Sequence, residues 1–250
     1  MHDPLSRPLL SQPGKVWLIG AGPGAADLIT LRGAALLREA DIVLHDALVT
    51  PEILAHCPQA ILVSVGKRSG QRSTAQPIIN EKIIECARRY ARVVRLKGGD
   101  PMLFGRADEE LSALEAAGIT YEIVPGITTA FAAAASIKQP LTKRGVARNV
   151  AFFTSTTAPG ETDEASLPSC DTLVQYMGGQ EATATAKRLL AAGKPGSTPV
   201  IGIENASRKD ERVMRMTLAQ MARPPGMSRS SAGDDRRSPA HAWLNKRKGG

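Results

Sequence analysis

Three short loops of this chain are rich in small residues, each directly after a strand-like run. Gly20-Ala21-Gly22-Pro23-Gly24-Ala25 follows residues 16–19, Lys97-Gly98-Gly99-Asp100-Pro101 follows residues 93–96, and Pro125-Gly126-Ile127-Thr128-Thr129 follows residues 121–124. In open α/β sheets, ligands bind beyond the carboxyl ends of the strands, where such loops lie. Asp46 closes a further apolar run, an acid at the exit of a strand. Arg106 and Glu109 stand three residues apart, one turn if helical. Gly66-Lys67-Arg68-Ser69-Gly70 is a basic loop, a solvated one by default. The first loop alone fits G-x-G-x-x-A, and with Asp46 it permits a nicotinamide-dependent oxidoreductase. Pro23 counts against that reading, because it removes an N–H from a loop meant to cradle a pyrophosphate. Three small-residue loops suit a compact ligand gripped by backbone groups better than a long dinucleotide.

The elements that must position these residues are legible from periodicity. Residues 16–19 read as a buried strand, and 41–46, 61–65 and 93–96 as further strands. Leu28, Leu31, Ala34, Ala35 and Leu37 recur at helical spacing with Asp27 as N-cap, residues 77–90 read as a helix, and residues 109–117 form another closed by Gly118. A second unit is expected from Tyr121: the strand 121–124, a small-residue helix, strands 150–153, 172–176 and 200–204, and a helix over 182–192. Residues 156–169 are polar and proline-punctuated, hence a loop. Strands alternating with helices predict an α/β fold with a parallel sheet. From Arg223 onward the chain is rich in Ser, Arg, Gly and Pro without periodicity, which predicts a disordered tail.

Composition narrows the function classes. A length of 250 residues allows one large domain or two small ones. The net charge is +8, but residues 222–250 alone hold seven Lys and Arg against Asp234 and Asp235. A basic excess that sits mainly in a tail argues against a nucleic-acid-binding core. No apolar run approaches the roughly 18 residues of a membrane span, and the first fifteen residues lack the apolar core of a secretory signal. Cys57, Cys86 and Cys170 offer no C-x-x-C pair, and His45 and His56 have no partner at metal-ligand spacing, so no metal is expected. These features predict a cytoplasmic protein.

Taken together, the motifs resemble the tetrapyrrole methylase family. They are residues 16–24 (VWLIGAGPG), 41–49 (DIVLHDALV), 66–70 (GKRSG), 98–110 (GGDPMLFGRADEE), 124–130 (VPGITTA), 140–144 (PLTKR), 172–178 (TLVQYMG) and 199–207 (PVIGIENAS). The resemblance implies two α/β domains, 14–120 and 121–222, with the active site in the cleft between them, and a basic tail over 223–250. It implies transfer of two methyl groups from S-adenosylmethionine (SAM) to C2 and C7 of uroporphyrinogen III. A sister activity on a later corrin intermediate is the nearest alternative.

By the same resemblance, Pro23, flanked by Gly22 and Gly24, and Gly98, Gly99, Asp100, Leu103, Thr128, Thr129, Met177 and Ala206 match SAM contacts. Asp46 matches a proton acceptor and Lys67 a proton donor; Arg106 and Glu109 match a pair near the reacting macrocycle, and Arg144 a substrate-side arginine. Which of Asp46, Arg106 and Glu109 is the base stays open, with carboxylates favoured for proton transfer and arginines for the substrate's carboxylates. The resemblance further implies a homodimer, with no nucleic acid or membrane partner and methylation as the chain's one activity. Three departures stand out. His45 and Ala47 replace the Tyr and Arg usual around the Asp, Ala107-Asp108 replaces a Gly-x pair, and no apolar strand follows Met221, where the family has one.

Overall fold

The computed structural model describes residues 6–66, 76–155, 166–179 and 181–223 and the backbone of 241–246. It divides into two compact units, Met1–Thr128 and Thr129–Gly250.

The first unit is built on five parallel strands: β1 (Lys15–Gly20), β2 (Ile42–His45), β3 (Ile61–Ser64), β4 (Arg92–Lys97) and β5 (Tyr121–Val124). Their order is β3-β2-β4-β1-β5. One face packs on α1 (Leu31–Arg38) and α2 (Pro51–Leu54), burying Ile19, Leu37, Val43, Ile53, Val94 and Leu96. The other packs on α3 (Gln76–Ala87) and α4 (Ala107–Ala116), burying Val16, Leu18, Leu44, Ile83, Val93 and Leu114. Covering both faces explains why β1 and β2 read as apolar runs rather than alternating ones, whereas β3, at the sheet edge, is largely exposed. α1 is capped by Thr30, whose Oγ1 accepts from the Gly33 amide at 3.1 Å, and not by Asp27, which lies in a preceding 3₁₀ turn. α4 closes as predicted: Gly118 is left-handed and its amide donates to the Glu115 carbonyl at 3.0 Å.

The second unit carries α5 (Thr129–Ser136), β6 (Val150–Thr154), β7 (Thr172–Tyr176), α6 (Ala182–Ala191), β8 (Pro199–Glu204), β9 (Arg212–Thr217), α7 (Leu218–Met221) and β10 (His241–Lys246). The sheet order is β6-β7-β10-β8-β9, with β10 antiparallel to both neighbours. Ala130, Ala133, Val174 and Ile203 are buried on the α5 face; Leu173, Ala186, Leu189 and Leu218 are buried on the α6 and α7 face.

Two sequence expectations are corrected here. β5 was assigned to the second unit, but it pairs with β1 in register Val16↔Tyr121 to Ile19↔Val124, so the division falls after Thr128. Adjacency in a parallel sheet is set by crossovers, which a linear reading does not reveal. The stretch after Met221 was expected to contain no strand, yet His241–Lys246 pairs with Thr172–Tyr176 on one side and with residues 200–204 on the other. The composition of a 28-residue tail averaged away a six-residue strand inside it. β9 and α7 were not predicted either. β9 is half exposed and carries Arg212 and Arg215 at the edge of the sheet.

Candidate active site

In the first unit the glycine loops meet backbone to backbone. The Gly22 amide donates to the Gly99 carbonyl at 3.1 Å and the Gly99 amide to the Gly22 carbonyl at 2.8 Å. A Cβ at Gly126 would stand 2.2 Å from the Gly99 oxygen, and one at Gly20 would stand 2.5 Å from the Gly126 Cα. Glycine is therefore demanded by contact between the three loops. Asp100 ties them further: its Oδ2 accepts from the Gly126 amide at 2.9 Å and its Oδ1 from the Met102 amide at 2.8 Å. Thr50 Oγ1 donates to the Gly24 carbonyl at 3.1 Å, joining the first loop to the chain after β2. Gly99 itself is left-handed, with open space where a side chain would stand, so a ligand can approach its backbone closely.

Asp46 sits at the exit of β2. The turn it opens, closed by the Val49 amide on the Asp46 carbonyl at 3.2 Å, lays Leu48 against Gly98. Its carboxylate, about a quarter exposed, accepts from Arg95 Nη2 at 2.6 Å. Arg95 lies on the central strand β4 and is buried. Its Nε donates to Glu110 Oε1 at 2.9 Å, and its Nη1 to the Leu44 and Leu96 carbonyls at 3.5 and 3.3 Å. Glu110, wholly buried on α4, also accepts from Lys97 Nζ at 2.8 Å and from Gln76 Nε2 at 3.2 Å. Burial opposes the Arg95 charge, but Asp46 and Glu110 beside it hold its pKa above the ordinary value. Burial, aided by the Arg95 charge, pushes the Lys97 pKa down despite Glu110.

Arg106 and Glu109 form a two-pronged pair, Nε to Oε1 at 2.6 Å and Nη2 to Oε2 at 2.7 Å, on the solvent side of the α4 start. The hydrogen bond from Arg106 holds the Glu109 carboxyl below its ordinary range. Arg106 is left-handed at φ 53°, as is Phe104 at φ 52°. In the second unit Met177 follows β7 at φ 56°, and Asn205 (φ 51°) and Ser207 (φ 66°) flank buried Ala206 after β8. Of the left-handed non-glycine residues among those described, all but Lys138 border positions matched to the site. Such strain collects at functional sites and persists only where its surroundings enforce it. Arg144 is exposed in a tight turn bridged by Lys143 and Ala147. Lys67 lies outside the described residues.

The first unit thus brings together Gly22, Gly24, Asp46, Gly98, Gly99 and Asp100, with Arg106 and Glu109 on α4. Arg95, Lys97, Glu110 and Gln76 were not picked out from the sequence. The available signal was the strand RVVRLK: two cations two residues apart, on a strand bounded by apolar strands, must face inward and need an acid. Among the described residues, no group of three or more His, Cys, Asp or Glu could hold a metal ion, and no helix is long and apolar enough to cross a membrane.

Comparison with known proteins agrees with this arrangement. A model of the Tetrapyrrole (Corrin/Porphyrin) Methylases matches residues 15–222. The uroporphyrinogen-III C-methyltransferase of Pseudomonas aeruginosa is 46% identical over 215 residues, covering 85% of this chain and 88% of that protein. Siroheme synthase 1 of Yersinia pseudotuberculosis is 43% identical over 212 residues, 83% of this chain but 45% of the longer relative. Among solved structures, the uroporphyrin-III C-methyltransferase of Thermus thermophilus in complex with S-adenosylhomocysteine superposes with a TM-score of 0.77 at 34% identity, covering 93% of this chain and 92% of that one. The cobalt precorrin-4 methyltransferase CbiF superposes with a TM-score of 0.73 at 28% identity, covering 93% and 94%.

Proposed function

Because the chain belongs to the tetrapyrrole (corrin/porphyrin) methylases, we propose that it methylates uroporphyrinogen III at C2 and C7, giving precorrin-2, with SAM as methyl donor. The enzyme is a methyltransferase. The observation that carries the specific reading is the pinned pair Gly22–Gly99 beside Asp46: a backbone cradle with open space over Gly99, next to a carboxylate oriented by a buried arginine.

SAM supplies an electrophilic methyl on a sulfonium. A pyrrole carbon attacks that methyl in line, the sulfur–carbon bond breaks, and S-adenosylhomocysteine departs. The loops at Gly22, Pro23, Gly24, Gly98, Gly99, Asp100 and Leu103, with Thr128, hold the donor, and Thr129, Met177 and Ala206 are further donor contacts. Their part is positioning, which for a two-reactant transfer is worth several kcal/mol of barrier. The methylated macrocycle then sheds a proton. Asp46 is the acceptor: Arg95 occupies Oδ1, so Oδ2 is the oxygen left to receive it. Lys67 is the matching proton donor. Arg106 and Arg144, both exposed, present guanidinium forks to the substrate's carboxylates, and Glu109 keeps Arg106 turned. The enzyme works as a cytoplasmic homodimer without a resident metal.

Asp46→Asn tests the assignment. Methylation of uroporphyrinogen III is expected to slow by about 10²–10⁴-fold, the usual worth of a positioned base, while calorimetry shows unchanged S-adenosylhomocysteine affinity. A variant that methylates at the wild-type rate, or that no longer binds the donor product, contradicts the role given to Asp46.

A further inference from the structure

The Asp46 carboxylate ends a chain of buried charges whose remote member meets the loops through the Lys97 side chain. Glu110 is fully buried on α4 and accepts from three donors: Arg95 Nε at 2.9 Å, Lys97 Nζ at 2.8 Å and Gln76 Nε2 at 3.2 Å. Arg95 has every nitrogen engaged: Nε on Glu110, Nη1 on two strand carbonyls, Nη2 on Asp46. A guanidinium is planar, so fixing Nε fixes the direction in which Nη2 points. The same acid is wired to the Arg106–Glu109 end of α4. Gln76 Nε2 also reaches Asn80 Oδ1 at 3.0 Å, and Asn80 Nδ2 donates to the Glu109 carbonyl at 3.0 Å. Two cations and two carboxylates leave the cluster neutral. An acid buried this deeply at a cost of several kcal/mol of desolvation needs more than a helix N-terminus to explain its place.

We propose that Glu110 is a positioning residue for methyl transfer: it locks Arg95, and Arg95 presents Asp46 in one orientation, with Lys97 balancing the added charge. This rests on Asp46 being the proton acceptor. Glu110 is closed to solvent and meets the second loop through the Lys97 side chain, not through the loop backbone that faces the donor, so its main effect falls on turnover rather than on binding. In Glu110→Gln the new amide sets an N–H against Lys97 Nζ or Arg95 Nε, because both former partners are donors. Arg95 is then free to rotate away from Asp46.

The test is a kinetic double-mutant cycle on the whole chain. Glu110→Gln is expected to lower kcat by about 10–100-fold, the scale of a misplacement near 1 Å. The KM for uroporphyrinogen III and the affinity for S-adenosylhomocysteine stay within about 3-fold, since neither site has lost a contact. In the Asp46→Asn background the same change costs less than about 2-fold, because a group acting through Asp46 has nothing left to position. Glu110→Gln with Lys97→Met keeps an acceptor for Arg95 Nε and removes the opposing donor; its kcat returns to within about 5-fold of wild type. This pair of changes also gives a neutral cluster if Glu110→Gln alone folds poorly. An equal loss in both backgrounds, or a loss that follows melting temperature with no rescue, overturns the proposal and leaves Asp46 as base. Should Asp46→Asn itself leave kcat unchanged, the base assignment fails first, and the positioning role falls with it.

Discussion

Each of the two sheets puts a strand with charged residues in its sequence at its centre. In the first, β4 (RVVRLK) lies between β2 and β1; in the second, β10 (HAWLNK) lies between β7 and β8. β4 is flanked in parallel on both sides and comes from the middle of the first unit's chain, whereas β10 is antiparallel to both neighbours and is the last strand among the described residues. β4 can be central because its two buried cations meet buried or half-buried acids, Glu110 and Asp46. β10 is central because β7 and β8 each offer it a complete ladder. A sheet centre is therefore defined by what its neighbours must satisfy, in one case buried charge and in the other free backbone groups.

The largest effect should come from breaking the second centre. Deleting residues 240–250 strips a ladder from both β7 and β8 at once. At about 1 kcal/mol net for each backbone hydrogen bond, the loss approaches the roughly 5–15 kcal/mol that stabilises a whole domain. Hydrogen exchange should show residues 172–176 and 200–204 losing protection while residues 15–20 keep theirs. Protection retained at 172–176 would remove β10 from its central place.

Next comes the first centre. Glu110→Leu leaves Arg95 with Asp46 alone and takes from Lys97 its acid partner, and breaking a buried pair from one side costs about 3–5 kcal/mol. Urea denaturation of the first unit is the measurement. A loss below about 1 kcal/mol, the size of an exposed pair, would mean that water reaches these groups and that the cluster is not closed.

The difference between the two centres also explains what was legible. Parallel strands covered on both faces make continuous apolar runs, so β1, β2 and β4 stood out, and the glycine loops at their ends followed. Asp46, Arg106 and Glu109 are candidates because they stand in motifs that resemble the family's. Arg95, Lys97 and Glu110 were passed over because each has an innocent local reading: strand cation, loop cation, helix-start acid. Only the pairing of β4 with β2 and the packing of α4 bring them together, and these are long-range facts. β10 was missed for a different reason. Its pairing partners lie 37 and more residues upstream, and nothing local in a Ser- and Arg-rich tail marks six residues as a strand. β5 was read as a strand and placed in the wrong sheet, which again is a matter of crossover rather than of propensity.

The smallest prediction concerns the dryness of the β4 face on which the charges sit. Cys86 on α3 belongs to the core cluster there, and burial, with the Glu85 charge, pushes its thiol up from 9.0 to about 11. A raised pKa in the folded state means that the native protein holds the proton where the unfolded chain has released it. The stability this provides is complete below pH 9 and is lost as pH climbs through 11. Two units correspond to about 2.7 kcal/mol at most. Lys97 titrates with the opposite sign, since its depressed pKa makes the native state release a proton first as pH rises. Comparing wild type with Cys86→Ala cancels that term. Urea midpoints followed from about pH 8 to about pH 11 should converge as the wild type loses its advantage. Parallel curves would show that Cys86 meets water in the native state.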